Sequence, residues 1–112
     1  MKKRYFRLAK GIAVKSPDCR RYRLGAVGIR KDGTIVMSKN IPNRLPEPSA
    51  HAEARLSRKL DRGAMVYVVR IDREGALTTA RPCKTCQKIM RIRGVKRCYY
   101  SISESEYGAM VF

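Results

Sequence analysis

An α/β fold is predicted from the order of three patterns in this 112-residue chain. Two short apolar segments, Leu24 to Ile29 and Thr34 to Ser38, flank Lys31-Asp32-Gly33 and read as a β-hairpin. Met65 to Ile71 is an apolar run of the kind found in buried parallel strands. A helix signal beginning at Pro82 and a further strand signal from Val95 to Ser101 follow it. Strand, helix and strand in this order imply a parallel pair joined by a right-handed crossover. The length suits one small domain, residues 1–112, with a modest core.

The elements can be justified in chain order. Tyr5, Leu8, Ala9 and Ile12 recur at helical spacing, so Lys3 to Lys15 is expected to be an amphipathic helix that ends at Ser16-Pro17-Asp18. The hairpin comes next. Asn40 to Ala50 holds Pro42, Pro46 and Pro48 and is expected to be a loop. His51 to Leu60 reads as a second helix, with Ala52, Leu56 and Leu60 on one side. Asp72-Arg73-Glu74-Gly75 is a turn after the apolar strand. Pro82 suits the first position of the next helix, where a missing N–H costs nothing. Gly94 is placed to end that helix. Ser103 to Phe112 fits either a short helix or a last edge strand.

Composition narrows the classes. Hydrophobic residues make up 44% of the chain, enough for a core and too many for a disordered tail. No apolar run reaches the roughly 18 residues of a membrane span. Met1-Lys2-Lys3-Arg4-Tyr5 has no apolar stretch behind its charges, which argues against a secretory signal and for a cytoplasmic protein with reduced thiols. The formal charge is +17, from 26 Lys and Arg against 9 Asp and Glu. A field of that sign draws phosphate-bearing partners. Lys84, Lys88 and Arg91 fall on one side of the Pro82 helix, which is either a solvated face or a groove for a nucleic-acid backbone. Tyr99, Tyr100 and Tyr107 either pack against helices or stack on bases.

The chemistry is concentrated in two short motifs. His51-Ala52-Glu53 contains the one histidine of the chain, and Pro82-Cys83-Lys84-Thr85-Cys86 contains two cysteines three apart. Catalytic zinc takes three protein ligands and keeps a fourth position open. His51, Cys83 and Cys86 supply three. Cys83 and Cys86 share a helix face at i and i+3, in the positive end of the helix dipole. A structural zinc would need a fourth ligand, for which Cys98 is the candidate; Cys98 also fits a buried small hydrophobe. Glu53 lies two residues past His51, a spacing that does not share a helix face; with His51 at the helix boundary and turned back towards the metal, Glu53 can reach water there without binding the metal and can move protons. Taken alone, Glu53 would read as a solvated carboxylate at a helix start.

At these residues the chain resembles the zinc-dependent cytidine/deoxycytidylate deaminase superfamily, whose signature joins a His-x-Glu to a Pro-Cys-x-x-Cys. Gly25-Ala26-Val27-Gly28-Ile29, the Asp32-Gly33 turn and Thr34-Ile35-Val36 look like the family's first hairpin. Pro48-Ser49-Ala50-His51-Ala52-Glu53, and the ten residues between Asn40 and His51, are similar to bacterial tRNA adenosine deaminases. Gly94 to Ser101 looks more like the deoxycytidylate deaminase branch, and Arg81 stands where adenosine deaminases usually have glutamate.

The resemblance implies a three-layer α/β fold with a mixed central sheet of four to five strands flanked by helices. It implies one catalytic Zn2+ held by His51, Cys83 and Cys86, with Glu53 shuttling protons. Asn40 would bind the substrate, and the backbone at Ala52 and Pro82 would line the base pocket; without the resemblance Asn40 reads as a turn cap. The expected reaction is hydrolytic deamination of cytosine to uracil, in a free (deoxy)cytidine nucleotide or nucleoside or in single-stranded nucleic acid. The alternatives are a tRNA-type adenosine deaminase and a non-catalytic basic zinc module that binds nucleic acid. A homo-oligomer that covers an exposed sheet edge is a further expectation; a membrane partner is not expected.

Overall fold

The computed structural model describes residues 3–15, 23–39, 56, 59–72 and 74–112. Two helices and six strands lie among them: α1 (Lys3–Val14), β1 (Arg23–Ile29), β2 (Ile35–Lys39), β3 (Met65–Ile71), β4 (Leu77–Thr78), α2 (Lys84–Arg93), β5 (Arg97–Ser101) and β6 (Tyr107–Val111). The strands form one mixed sheet in the order β2-β1-β3-β5-β6, with β4 pairing on β3.

The predicted hairpin is present, with Ile29 opposite Ile35 next to its turn. Arg30 and Thr34 close the turn through Arg30 N–H to Thr34 C=O at 2.8 Å. β3 lies at the centre, antiparallel to β1 and parallel to β5. The β3-α2-β5 unit is therefore the expected parallel crossover.

β3 is apolar apart from Arg70 near its end because the sheet is covered on both faces. Val66 and Val68 face one way, into a cluster with Ala26, Leu56, Met90, Val95 and Cys98. Tyr67, Val69 and Ile71 face the other way, into a cluster with Phe6, Ala9, Ala13, Val27 and Tyr99. The first cluster joins α2 and Leu56 to the sheet; the second joins α1. This is the three-layer α/β arrangement. Each fully buried Val or Ile contributes about 1.5–3 kcal/mol relative to exposure, an upper bound because the unfolded chain already shields some area.

The sheet-facing line of α1 differs from the expected stripe. Phe6, Ala9 and Ala13 are buried, while Leu8 is 38% exposed. Small residues at 9 and 13 let the helix backbone approach β1 closely. A Cβ on Gly25 would overlap the Ala9 carbonyl oxygen and the Ala13 backbone nitrogen, so glycine is required there. Phe6 packs edge-on against Tyr67 at 5.1 Å, and Tyr67 stacks obliquely on Tyr99 at 4.9 Å.

Further differences from the sequence reading concern ends and short pieces. Ser103–Phe112 is resolved in favour of the strand: β6 pairs antiparallel with β5, Cys98 opposite Met110 and Tyr100 opposite Gly108. Phe6 holds β6 from beneath, 4.2 Å from the Tyr107 ring. β4 brings the sheet to six strands and was not expected, because two residues show no alternation. Leu56 is helical and Lys59 N–H closes a turn on its carbonyl at 2.8 Å, so Leu60 lies past the helix end. The remainder of that expected helix, the Asn40–Ala50 loop and Ser16-Pro17-Asp18 lie outside the described residues. Among the described residues no helix is long and apolar enough to cross a membrane.

Candidate active site

The site is built around the start of α2. Residues 79–81 cross the carboxyl end of β5, where Ala80 N–H bonds the Ser101 carbonyl at 2.8 Å. Ser101 is fully buried; its hydroxyl donates to the Thr78 carbonyl at 2.7 Å and accepts the Arg70 N–H at 3.3 Å. One side chain thus ties β3, β4 and β5 together just before the chain turns into α2. The carboxyl ends of parallel strands are where open α/β sheets gather their ligands.

Pro82 does not occupy the first helical position. It is buried two residues earlier, ahead of Cys83, which is the N-cap, with φ −66° and ψ 165°. The Cys83 Sγ accepts the Cys86 N–H at 3.5 Å, the role that serine or threonine usually takes. Local chemistry explains the shift: Cys83 has a side-chain acceptor and Pro82 has none. The Pro82 carbonyl is instead held by the Gln87 side chain, Nε2 to O at 2.8 Å. Gly94 ends the helix as expected, at φ 82°, with its N–H on Arg91 and the Val95 N–H on Met90. These two bonds form the reversed turn that only glycine adopts without strain.

Cys83 is exposed and Cys86 buried, so the pair runs from the surface into the molecule. The first turn of α2 carries no acidic residue, and Lys84 stands in it. The positive end of the helix dipole and Lys84 make this end electropositive, which suits sulfur ligands that carry negative charge when they hold a cation. Two sulfurs at the N-cap and the third helical position thus fit a zinc site of the kind expected.

His51, Glu53, Asn40 and Ala52 lie outside the described residues. Among the described residues, no three His, Cys, Asp or Glu side chains gather into a metal-sized cluster. The structure brings together Cys83, Cys86 and Pro82 from the expected set. β2 ends at Lys39, whose register partner Gly25 also pairs with Val69 near the end of β3. The residue before Asn40 is therefore at the same end of the sheet as the start of α2. Cys98 is buried in the cluster of Val66 and Met90, matching the small-hydrophobe reading.

Three contributors were missed in the sequence. Gln87 and Ser101 act through backbone groups distant in sequence or hidden by folding. Arg70 could have been noticed as the one charge in the Met65–Ile71 run. It is half-buried at the carboxyl end of β3, in register with Leu24 and Thr78, and its Nη1 reaches the Thr79 carbonyl at 3.5 Å. Of the tyrosines weighed for stacking on bases, Tyr99 is buried against Tyr67, Tyr107 is half-buried against Phe6, and Tyr100 is half-buried against the cluster of Val66 and Cys98.

Comparison with known proteins agrees with this architecture. Similar solved structures include cytidine deaminase from Burkholderia pseudomallei, with TM-score 0.69 and 17% identity over 99% of this chain and 92% of that one. Cytidine deaminase from Mycobacterium leprae gives TM-score 0.64 and 18% identity over 96% and 91%. Cytidine deaminase from Mycobacterium tuberculosis gives 0.54 and 20% over 86% and 83%. At these identities the likeness concerns the fold. Comparison with curated protein sequences returns no match. The family model described as the cytidine and deoxycytidylate deaminase zinc-binding region matches residues 1–102. With that match spanning all but the last ten residues, the chain belongs to the cytidine and deoxycytidylate deaminase family.

Proposed function

We propose that this protein is a zinc-dependent hydrolytic deaminase that converts a cytosine base to uracil with release of ammonia, acting in the cytoplasm. The observation that carries the reading is the Cys83/Cys86 pair: an N-cap thiol and a third-position thiol on one helix start, at the carboxyl ends of β3 and β5. His51 would complete a set of three ligands to one zinc ion and leave its fourth position open. When bound, zinc supplies water acidified to near-neutral pKa.

The remaining work falls to the chain itself. Glu53 takes a proton from water and delivers it to the departing amine, so that one carboxylate serves both halves of the reaction. Pro82, held by Gln87 through its carbonyl, gives the base pocket a rigid wall. Asn40, directly after β2, and the backbone at Ala52 would hold the substrate by hydrogen bonds. Arg81, exposed beside Pro82, and the Gly94–Ser101 segment favour cytosine over adenine as the target.

The test is a deamination panel on the zinc-loaded full chain with cytidine, deoxycytidylate, single-stranded DNA, single-stranded RNA and adenosine-containing tRNA. Uracil formation from any cytosine substrate supports the reading. Inosine formation alone replaces cytosine with adenine. In the active case Glu53→Ala should lose turnover by about 10²–10⁴-fold while zinc content stays near one ion per chain. Full turnover in Glu53→Ala would remove the proposed proton shuttle. No product from any substrate would leave a zinc-stabilised binding module.

A further inference from the structure

We propose that the outward face of α2 is a docking surface for the phosphate backbone of single-stranded nucleic acid, so that the target base reaches the Cys83/Cys86 end as part of a polynucleotide. The proposal rests on the deaminase reading and names its substrate class.

The face has a clear boundary in the sequence. Every charged side chain between Glu74 and Glu104 is a Lys or Arg. Within that stretch Lys84, Lys88 and Arg91 follow spacings of four and three, which is one stripe of α2, and Arg81 stands just ahead of its N-cap. All four are exposed, while Cys86 and Met90 on the opposite side of α2 are buried. Arg91 is further set by the Phe112 ring, 5.8 Å from its guanidinium carbon. From Lys84 to Arg91 the stripe runs about 10 Å along the helix axis. Its first members flank Pro82 and Cys83. A backbone lying along it would be led straight to the candidate ligands.

The stretch between Glu74 and Glu104 holds seven Lys or Arg and no acid. The carboxylates of Asp72 and Glu104 are turned to backbone N–H groups ahead of α2, Asp72 to those of Glu74 and Ala76 and Glu104 to that of Leu77. A single phosphate needs one or two cations, whereas a stripe this long fits successive phosphates. α1 also exposes Lys3, Arg4 and Arg7, but it covers the opposite face of the sheet. Its charges are thus remote from α2 and serve as an internal control.

The experiment measures binding of fluorescently labelled oligodeoxycytidine and oligocytidine to the zinc-loaded full chain by anisotropy, across about 50–200 mM salt. Lys88→Gln/Arg91→Gln is compared with Lys3→Gln/Arg7→Gln. Loss of two phosphate contacts should reduce the log–log salt slope by about 1.4 and weaken binding roughly 25-fold at about 0.1 M salt, that slope change extrapolated from 1 M. The α1 pair should leave both values unchanged. The specificity constant for cytosine within an oligonucleotide should fall in parallel in the α2 pair, while deamination of free cytidine should not. Lys88→Arg/Arg91→Lys keeps the charges and should restore the slope. Preference for the DNA or the RNA strand identifies the sugar and supports docking either way. Absence of oligonucleotide binding, or equal loss in both Gln pairs, overturns the proposal while leaving free-cytidine activity to report on the deaminase reading. Binding that maps to α2 without uracil formation from any substrate instead overturns the deaminase reading.

Discussion

The Cys83 thiol caps the helix that carries Cys86: its Sγ accepts the Cys86 N–H at 3.5 Å. A single side chain therefore closes the start of α2 and stands as one of the proposed zinc ligands. The two roles separate by substitution. Cys83→Ser keeps a capping acceptor and removes the sulfur; Cys83→Ala removes both. Both variants should bind less than half the wild-type zinc by elemental analysis. In chelator, urea unfolding should place Cys83→Ala about 1 kcal/mol below Cys83→Ser. Full zinc retention by Cys83→Ser would exclude Cys83 as a ligand.

Ser101 should matter for stability although it bears no charge and faces no solvent. Its hydroxyl serves the Thr78 carbonyl and the Arg70 N–H. Ser101→Ala leaves both without that partner, which should cost about 1–3 kcal/mol in urea unfolding. A change under about 0.5 kcal/mol would show that neither bond contributes materially.

Gly25→Ala tests the closeness of α1 to the sheet. The added methyl would meet backbone atoms of Ala9 and Ala13, which cannot rotate away. The helix must shift as a body, and destabilisation of about 1–3 kcal/mol is expected. Hydrogen exchange should show faster opening of α1 amides than in the parent. Unchanged protection would mean that α1 sits further from β1.

Asp32 makes part of the stability pH-dependent. The Thr34 backbone N–H, bonded to its carboxylate at 2.9 Å, is the largest cause holding its pKa below the ordinary value of 3.8, with help from the Thr34 hydroxyl and the Arg30 charge. A depressed folded pKa stabilises the fold above the unfolded value and loses that contribution as pH falls through the folded value. Asp32→Ala should therefore lower Tm at neutral pH, and the gap should close progressively below about pH 3.8. A gap that persists at the acid end would mean that something other than the carboxylate charge sets it.

The sequence reading succeeded where a pattern repeats locally. Leu24–Ile29, Met65–Ile71 and Val95–Ser101 show the apolar run or alternation that a half- or fully buried strand needs, and each became a strand within two residues of its expected limits. Gly94 was legible because a left-handed residue ends a helix in one way. Legibility failed where a partner distant in sequence decides. Ser103–Phe112 has no strong period of its own, and pairing with β5 selects the strand. Residues of α1 offered two overlapping apolar stripes, and the approach to Gly25 selected the one with alanines. Pro82 met the usual rule for a helix start, yet the side-chain acceptor of Cys83 took the capping role one residue later.

For the candidate site the division is similar. Residue types and spacing alone determined the chemistry to look for: a cysteine pair at i and i+3, one histidine, and one carboxylate two residues beyond it. Such donors name the chemistry to test for, because metal affinity and proton transfer depend on which atoms are present. The tertiary structure decided where that chemistry stands. It placed Cys83 outside and Cys86 inside on one helix start, bound the approach to it through Ala80 and Ser101, and turned the basic stripe of α2 outward. Those features depend on hydrogen bonds and packing between segments far apart in the chain, and local periodicity carries no record of them.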